Sequence, residues 1–355
     1  KYSDAVEYAN MVESGDITDG DITVAGPEID TIEAGGALPL GLDIKIAGRK
    51  MQRDFEGIME RQVHRYLSHA MGYMHTGQRD QLWCRISKKA FDAGFRLKHM
   101  GTIIHAKLHD EYGGIVDKVA VHVTTDEAEV KALLEKARAG FDWRDERVAG
   151  MTDESVDTYY SCTVCQSYAP DHVCVITPQR LGLCGAYNWL DGRANFEINP
   201  TGPNQPIAKG ATIDEVKGEW EGVNKFVYDK SGRKIDRFCA YTLLEAPMTS
   251  CGCFECIVAI VPLANGVMVV NREFQGPTPS GMTFGELASV TGGGAQTPGF
   301  VGVGRLYLSS PKFISAEGGV RRIVWMPKSL KEDIKERFEV EGPAASLYLA
   351  DANAP

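Results

Sequence analysis

The chain carries nine cysteines, and their placement is the first chemical signal. Cys84 stands alone, while the other eight lie between positions 162 and 256. The first group runs Cys162-Thr-Val-Cys165, then Cys174, then Cys184. Four thiolates can each hold one iron of a cubane [4Fe–4S] cluster, a short C-x-x-C turn serving two corners and longer loops the others. The same four could make a tetrahedral structural zinc site or remain unligated core thiols. Structural zinc sites more often pair two short knuckles, and only the first spacing here is short, which favours iron–sulfur. The second group is Cys251-Gly252-Cys253. Two thiolates one residue apart can chelate a single ion. The amide nitrogens of Gly252 and Cys253 would complete an N₂S₂ square of the kind Ni(II) or Cu(II) prefers. A glycine between them leaves the chelate face open. The bland alternative is a turn holding two thiols in a core.

The elements that must position these groups differ between the two halves. Residues 1–45 hold short β-like pieces, including Ile22-Thr23-Val24, and the glycine pair Gly35-Gly36. From Asp54 to Met74 apolar residues recur at three and four, one face of an amphipathic helix. The sequence then predicts a strand at 81–87, helical stretches at 88–93 and 99–109, and a strand through Val119, Val121 and Val123. A helix capped by Thr125 or Asp126 is expected to end at Gly140. This alternation indicates an α/β layer domain over 1–150. Glycine and proline punctuate the second half. Ile257–Val261 and Val267–Val270 flank Asn265-Gly266 as a hairpin, and a helix is expected near 329–338. The reading is a loop-rich α+β domain over 151–355, in one or two lobes.

Composition narrows the function. The chain has 355 residues, 43% hydrophobic and 24% charged, an ordinary globular balance. A net charge of −10 argues against a nucleic-acid binder that relies on a broad basic face. The most apolar stretch, 256–270, is interrupted by Pro262 and is too short to span a bilayer, so membrane insertion is not expected. With an odd cysteine count and no export leader, disulfides are not expected and a soluble cytoplasmic protein is. Lys1 in place of Met suggests a trimmed N-terminus.

Taken together, the two cysteine groups resemble the acetyl-CoA synthase component of the carbon monoxide dehydrogenase/acetyl-CoA synthase complex. The resemblance runs through Ser161–Cys174, Val175–Gly192, Ser250–Glu255 and the glycine-rich Thr291–Phe300. It implies an A-cluster of the Wood–Ljungdahl pathway. Cys162, Cys165, Cys174 and Cys184 would hold a [4Fe–4S] cubane, with Cys165 bridging to a proximal nickel. Cys251 and Cys253 would bridge two nickel ions, and the nitrogens of Gly252 and Cys253 would complete the distal one. The proximal position also accepts copper or zinc. The implied reaction is an acyl transfer that joins CO, a methyl group from a corrinoid iron–sulfur protein and coenzyme A. The implied partners are the carbon monoxide dehydrogenase subunit, that corrinoid protein and a ferredoxin-type reductant. Tyr168 stands where bacterial members have phenylalanine, as an aromatic wall beside the open nickel position. Those members carry an extra N-terminal domain that this chain is expected to lack, as an archaeal-type beta subunit or a trimmed bacterial alpha subunit. The rival reading is a non-catalytic iron–sulfur electron-transfer module, which leaves Cys251-Gly-Cys253 unexplained; a zinc-bound interaction module is a weaker third.

Other residues carry lesser signals. Trp83 and Arg85, with Lys88, Lys89, Arg96 and Lys98, form the best local basic stretch for the phosphates and adenine of coenzyme A, although a solvated helix face explains them equally well. His105 and His109 are spaced as a metal pair but lack the glutamate of a zinc-protease motif, and read as a surface helix. His64 and His69 diverge around a helix. His172 reads as a loop-stabilising histidine, Gly292–Gly294 as a loop near the cluster, and Cys84, Cys239 and Cys256 as buried structural thiols.

Overall fold

Apolar periodicity in the first half is satisfied by helices laid on a strand layer. The structure, a computed structural model, describes residues 4–33, 35–78, 81–167 and 169–340. The fold is mixed α/β and divides into two compact units, residues 1–147 and 148–355.

The first unit contains β1 (Ala5–Met11), β2 (Ile22–Ala25), β3 (Leu40–Ala47), α1 (Glu56–Met71), β4 (Gly72–Gln78), β5 (Gln81–Ile86), α2 (Lys88–Asp92), α3 (Leu97–Tyr112), β6 (Lys118–Thr124) and α4 (Glu127–Glu146). Its main sheet has the order β1-β3-β6-β2, with β1 and β3 parallel, β3 and β6 antiparallel, and β2 parallel to β6. Period-two alternation on β1 serves two helix layers. Val6 and Tyr8 pack with Val130, Leu133, Ala137 and Phe141 of α4. Glu7 meets His64 of α1 at 2.9 Å, and the Ala9 amide donates to Glu60 at 2.9 Å. Arg144 reaches the same Glu60 at 3.2 Å and the Ala9 carbonyl at 2.9 Å, so the buried carboxylate has a charged partner and a backbone donor.

Two boundaries differ from the sequence expectation. The first helix stops at Met71, because Gly72 takes φ +120° and turns the chain into β4, leaving Met74 on a strand. Asp126 caps α4 through the Ala128 and Glu129 amides, but that helix runs past Gly140 to Glu146. Gly140 is there for close approach instead: a Cβ would sit 2.4 Å from the Tyr8 hydroxyl.

The second unit contains β7 (Thr158–Cys162), β8 (Cys174–Ile176), α5 (Trp189–Ile198), β9 (Pro206–Ala208), β10 (Thr212–Asp214), β11 (Glu219–Trp220), α6 (Glu221–Lys230), β12 (Cys256–Val261), β13 (Gly266–Asn271), α7 (Phe284–Thr291), β14 (Phe300–Val303), α8 (Arg305–Leu308), β15 (Ile323–Trp325) and α9 (Lys328–Val340). β12 and β13 form the expected antiparallel hairpin within a sheet of order β14-β12-β13-β15. Val258, Val267, Val269, Val301 and Val303 pack with Tyr307, Leu308, Phe313, Leu330 and Ile334. A smaller antiparallel sheet, β8-β7-β9, carries the first cysteines. Among the described residues no helix is long and apolar enough to cross a membrane.

Candidate metal centre

Strand register brings the first cysteines together. Cys162 ends β7, Cys174 begins β8, and the two are Cα partners across that antiparallel pair. Cys165 lies in the 3-10 turn Val164–Ser167 that follows β7. Cys184 belongs to a loop stitched to the second stretch by the Glu255 amide, which donates to the Leu183 carbonyl at 3.0 Å.

The second stretch enters just before β12. Sγ atoms of Cys165, Cys251 and Cys253 all lie within 4.8 Å of one another. Sulfurs about 2.3 Å from one shared ion stand about 3.3 to 4.6 Å apart, so this spacing suits joint ligation. Gly252 takes φ +108°, a left-handed conformation glycine adopts freely, and a Cβ there would meet open space. The Cys253 amide points to Cys251 Sγ at 3.3 Å, so this nitrogen already faces the thiols. The Gly252 amide does not: it donates to Ser250 Oγ at 3.3 Å and must release that bond to act as a donor to metal.

Neighbouring residues fix the tripeptide. Arg272 Nη2 donates to the Gly252 carbonyl at 2.9 Å and the Phe254 carbonyl at 3.1 Å. Its guanidinium also lies 5.2 Å from the Phe284 ring centre, and that ring meets Phe254 edge-on. Gly294 donates to the Ser250 carbonyl at 2.7 Å, which lays the glycine-rich loop against Cys251–Gly252. His172 is buried and hydrogen-bonded to Thr249 Oγ1 at 2.9 Å, tying the Cys165–Cys174 loop to the residues preceding Cys251; burial lowers its pKa.

The sulfurs share charge. Hydrogen bonds from Cys165 and Cys253 hold Cys251 well below the ordinary thiol value. Cys165 is raised by its bond to Cys251. Cys253 is drawn down by Cys165 but more strongly raised by Cys251 and burial. Burial pushes Cys162 up to about 12, with Cys184 and Cys251 adding to the rise, and raises Cys174 well above the ordinary value. Several thiols crowded in a desolvated place cannot all ionise unless cations join them. The donor set therefore fits soft or borderline metal ions.

Cys239 and Cys256 are buried and Cys84 half-buried; burial pushes Cys84 up to about 11 and Cys239 up to about 12. Tyr168 lies outside the described residues, as does the side chain of Trp83. Arg85 is exposed on β5. Lys88 is paired with Asp92 at 2.6 Å and Arg96 approaches Asp30 at 3.6 Å, so part of the basic stretch is locally neutralised. Arg272, Ser250 and Thr249 had no signal in cysteine spacing, because the fold alone brings a residue just beyond β13 onto the tripeptide.

Fold and site together define a protein whose second half presents cysteines from two separated stretches as one thiol-rich centre. Known proteins make the assignment specific. Residues 141–349 match the family described as the C-terminal part of the ACS/CODH beta subunit, and residues 1–130 match the family of the CO dehydrogenase/acetyl-CoA synthase complex beta subunit. The carbon monoxide dehydrogenase/acetyl-CoA synthase subunit alpha of Moorella thermoacetica is 54% identical across 94% of this chain and 46% of that protein. The acetyl-CoA decarbonylase/synthase complex subunit beta of Methanopyrus kandleri is 44% identical across 94% of this chain and 72% of its own length. Its counterpart from Methanothermobacter thermautotrophicus is 41% identical across 98% and 78%. The chain thus spans just under half of the Moorella relative. It belongs to the beta-subunit family of the CO dehydrogenase/acetyl-CoA synthase complex.

Proposed function

We propose that this chain is the catalytic subunit that assembles acetyl-CoA from CO, a methyl group and coenzyme A, an acyl transfer at a nickel–iron–sulfur centre. The observation that carries this reading is the approach of Cys165, from the first cysteine stretch, to Cys251 and Cys253, from the second. Cys162, Cys165, Cys174 and Cys184 would hold a [4Fe–4S] cluster. Cys165, Cys251 and Cys253, with the backbone nitrogens of Gly252 and Cys253, would hold two nickel ions. When bound, the metals supply an electron-rich, open coordination position for the one-carbon substrates.

The protein's own contribution is positioning. Arg272 clamps the Gly252 and Phe254 carbonyls and so fixes the planes of the Gly252–Cys253 and Phe254–Glu255 peptides. Its positive charge beside the Gly252 oxygen favours electron density on that peptide, whose nitrogen belongs to Cys253. His172 and the glycine-rich loop brace the two stretches against each other. Tyr168 would supply an aromatic wall. Trp83 and Arg85 would meet the adenine and phosphates of coenzyme A. The methyl donor would be a corrinoid iron–sulfur protein, CO would come from the dehydrogenase subunit, and a ferredoxin-type protein would set the redox state, all in the cytoplasm.

Metal analysis of anaerobically purified chain tests the reading: about four iron and about two nickel per chain are expected. Cys253→Ala is expected to keep the iron–sulfur absorption and lose nickel and acetyl-CoA formation together. Iron without nickel in the unaltered chain would favour an electron-transfer module, and synthase activity surviving in Cys253→Ala would refute the site.

A further inference from the structure

A second cluster of ligating side chains lies in the first unit and contains no cysteine. Helix α3 places His105 and His109 one turn apart on the same face. The loop between β1 and β2 brings Asp19 to them, and the three ligand atoms lie within 4.8 Å of one another. Asp19 Oδ1 is 3.0 Å from His105 Nε2 and 2.8 Å from His109 Nε2. The carboxylate is aimed rather than loose. The Val119 amide on β6 donates to the same oxygen at 2.9 Å, and the Gly20 amide donates back to the Val119 carbonyl at 3.0 Å.

We propose that Asp19, His105 and His109 form a divalent-cation site of the two-histidine, one-carboxylate type, clipping the β1–β2 loop to α3. With ligands about 2.0–2.1 Å from an ion, neighbouring donor atoms in an octahedral shell stand about 3.0 Å apart. The two oxygen–nitrogen edges measured here match that spacing. Without a cation, both Nε2 atoms must carry hydrogens, and three donors then converge on one carboxylate oxygen. A cation takes the place of two of those hydrogens, with each imidazole keeping its proton on Nδ1. The Val119 amide remains as the outer hydrogen bond that orients the carboxylate. Two imidazoles and one carboxylate suit Zn²⁺, Ni²⁺ or Co²⁺, whereas Ca²⁺ favours an all-oxygen set and Cu⁺ favours sulfur. Side-chain exposures of 26% for His105 and 28% for His109 leave the ion reachable and its other positions open to water.

The inference does not depend on the cysteine centre, and its test is resolved by residue. The full chain is treated with diethylpyrocarbonate with and without Zn²⁺, and modification is read by peptide mass spectrometry, exposed His69 serving as the internal reference. With Zn²⁺ ten times above its Kd, labelling of His105 and His109 is expected to fall together roughly tenfold while His69 is unchanged. Asp19→Asn is expected to remove that protection, and so is His109→Ala at His105. Co²⁺ added to a Cys251→Ser/Cys253→Ser chain is expected to protect the same two histidines. Labelling of His105 and His109 that is indifferent to both cations, or protection that persists in Asp19→Asn, would overturn the site and leave a hydrogen-bonded latch.

Discussion

Arg272 has no metal-binding capacity, yet it holds the backbone of the proposed nickel site. It donates to the carbonyls of Gly252 and Phe254, and so sets the planes of the Gly252–Cys253 and Phe254–Glu255 peptides. Each such bond from a charged donor is worth about 1.5–3 kcal/mol. Arg272→Ala is therefore expected to lower nickel content several-fold while iron content and the iron–sulfur absorption hold, with Arg272→Lys restoring part of the nickel. Metal analysis of the purified variants checks this; equal loss of iron and nickel would mark Arg272 as a general packing residue instead. At this scale the sequence pointed to candidate ligands and gave no cue to their support. Cysteine spacing and the interposed glycine singled out the sulfurs. Arg272, Thr249 and Asp19 are ordinary residues whose importance comes from which elements the fold sets beside them. The bond from the Gly252 amide to Ser250 Oγ likewise had no sequence cue.

Elements were legible where hydrophobic periodicity was strong, as in α1 and the β12–β13 hairpin, and misread where tertiary contact overrode a local signal. Gly140 looked like a helix terminus, yet Tyr8 needs a side-chain-free surface at that point and α4 continues through it. Gly72 did the reverse, ending a helix whose apolar pattern ran on to Met74. Electrostatics also acts between elements. Glu219 of β11 accepts from Arg237 Nη2 at 2.7 Å and Nε at 3.0 Å and from Asn224 at 2.8 Å, with Cys239, Glu245 and Lys217 nearby. Arg237 holds its carboxyl below the ordinary value. A depressed carboxylate contributes stability that is complete above its unfolded pKa, ordinarily near 4.5, and is shed as pH falls through the folded value. The stability difference between the unaltered chain and Arg237→Ala is therefore expected to be full at neutral pH and to shrink as pH falls below about 4.5. Urea unfolding at several pH values measures it; a gap independent of pH would show that Arg237 acts through packing alone.

For the whole molecule, length and the break in pattern near residue 150 indicated an α/β half and a loop-rich half, and the fold is mixed α/β. Cysteine spacing alone could not bring the stretches together, and only the family resemblance implied it, since β7–β8 pairing, the 292–294 loop and the Leu183–Glu255 bond are all long-range. That convergence is also the basis of the proposed chemistry: two separated cysteine stretches serve one mixed-metal centre. Anomalous diffraction from anaerobically grown crystals, collected on either side of the iron and nickel absorption edges, tests it most directly. Iron signal enclosed by Cys162, Cys165, Cys174 and Cys184, with adjoining nickel signal at Cys251–Cys253 and Cys165 shared between them, is the expected result. Iron alone, or a lone zinc among the first four cysteines with the 251–253 thiols bare, would contradict it.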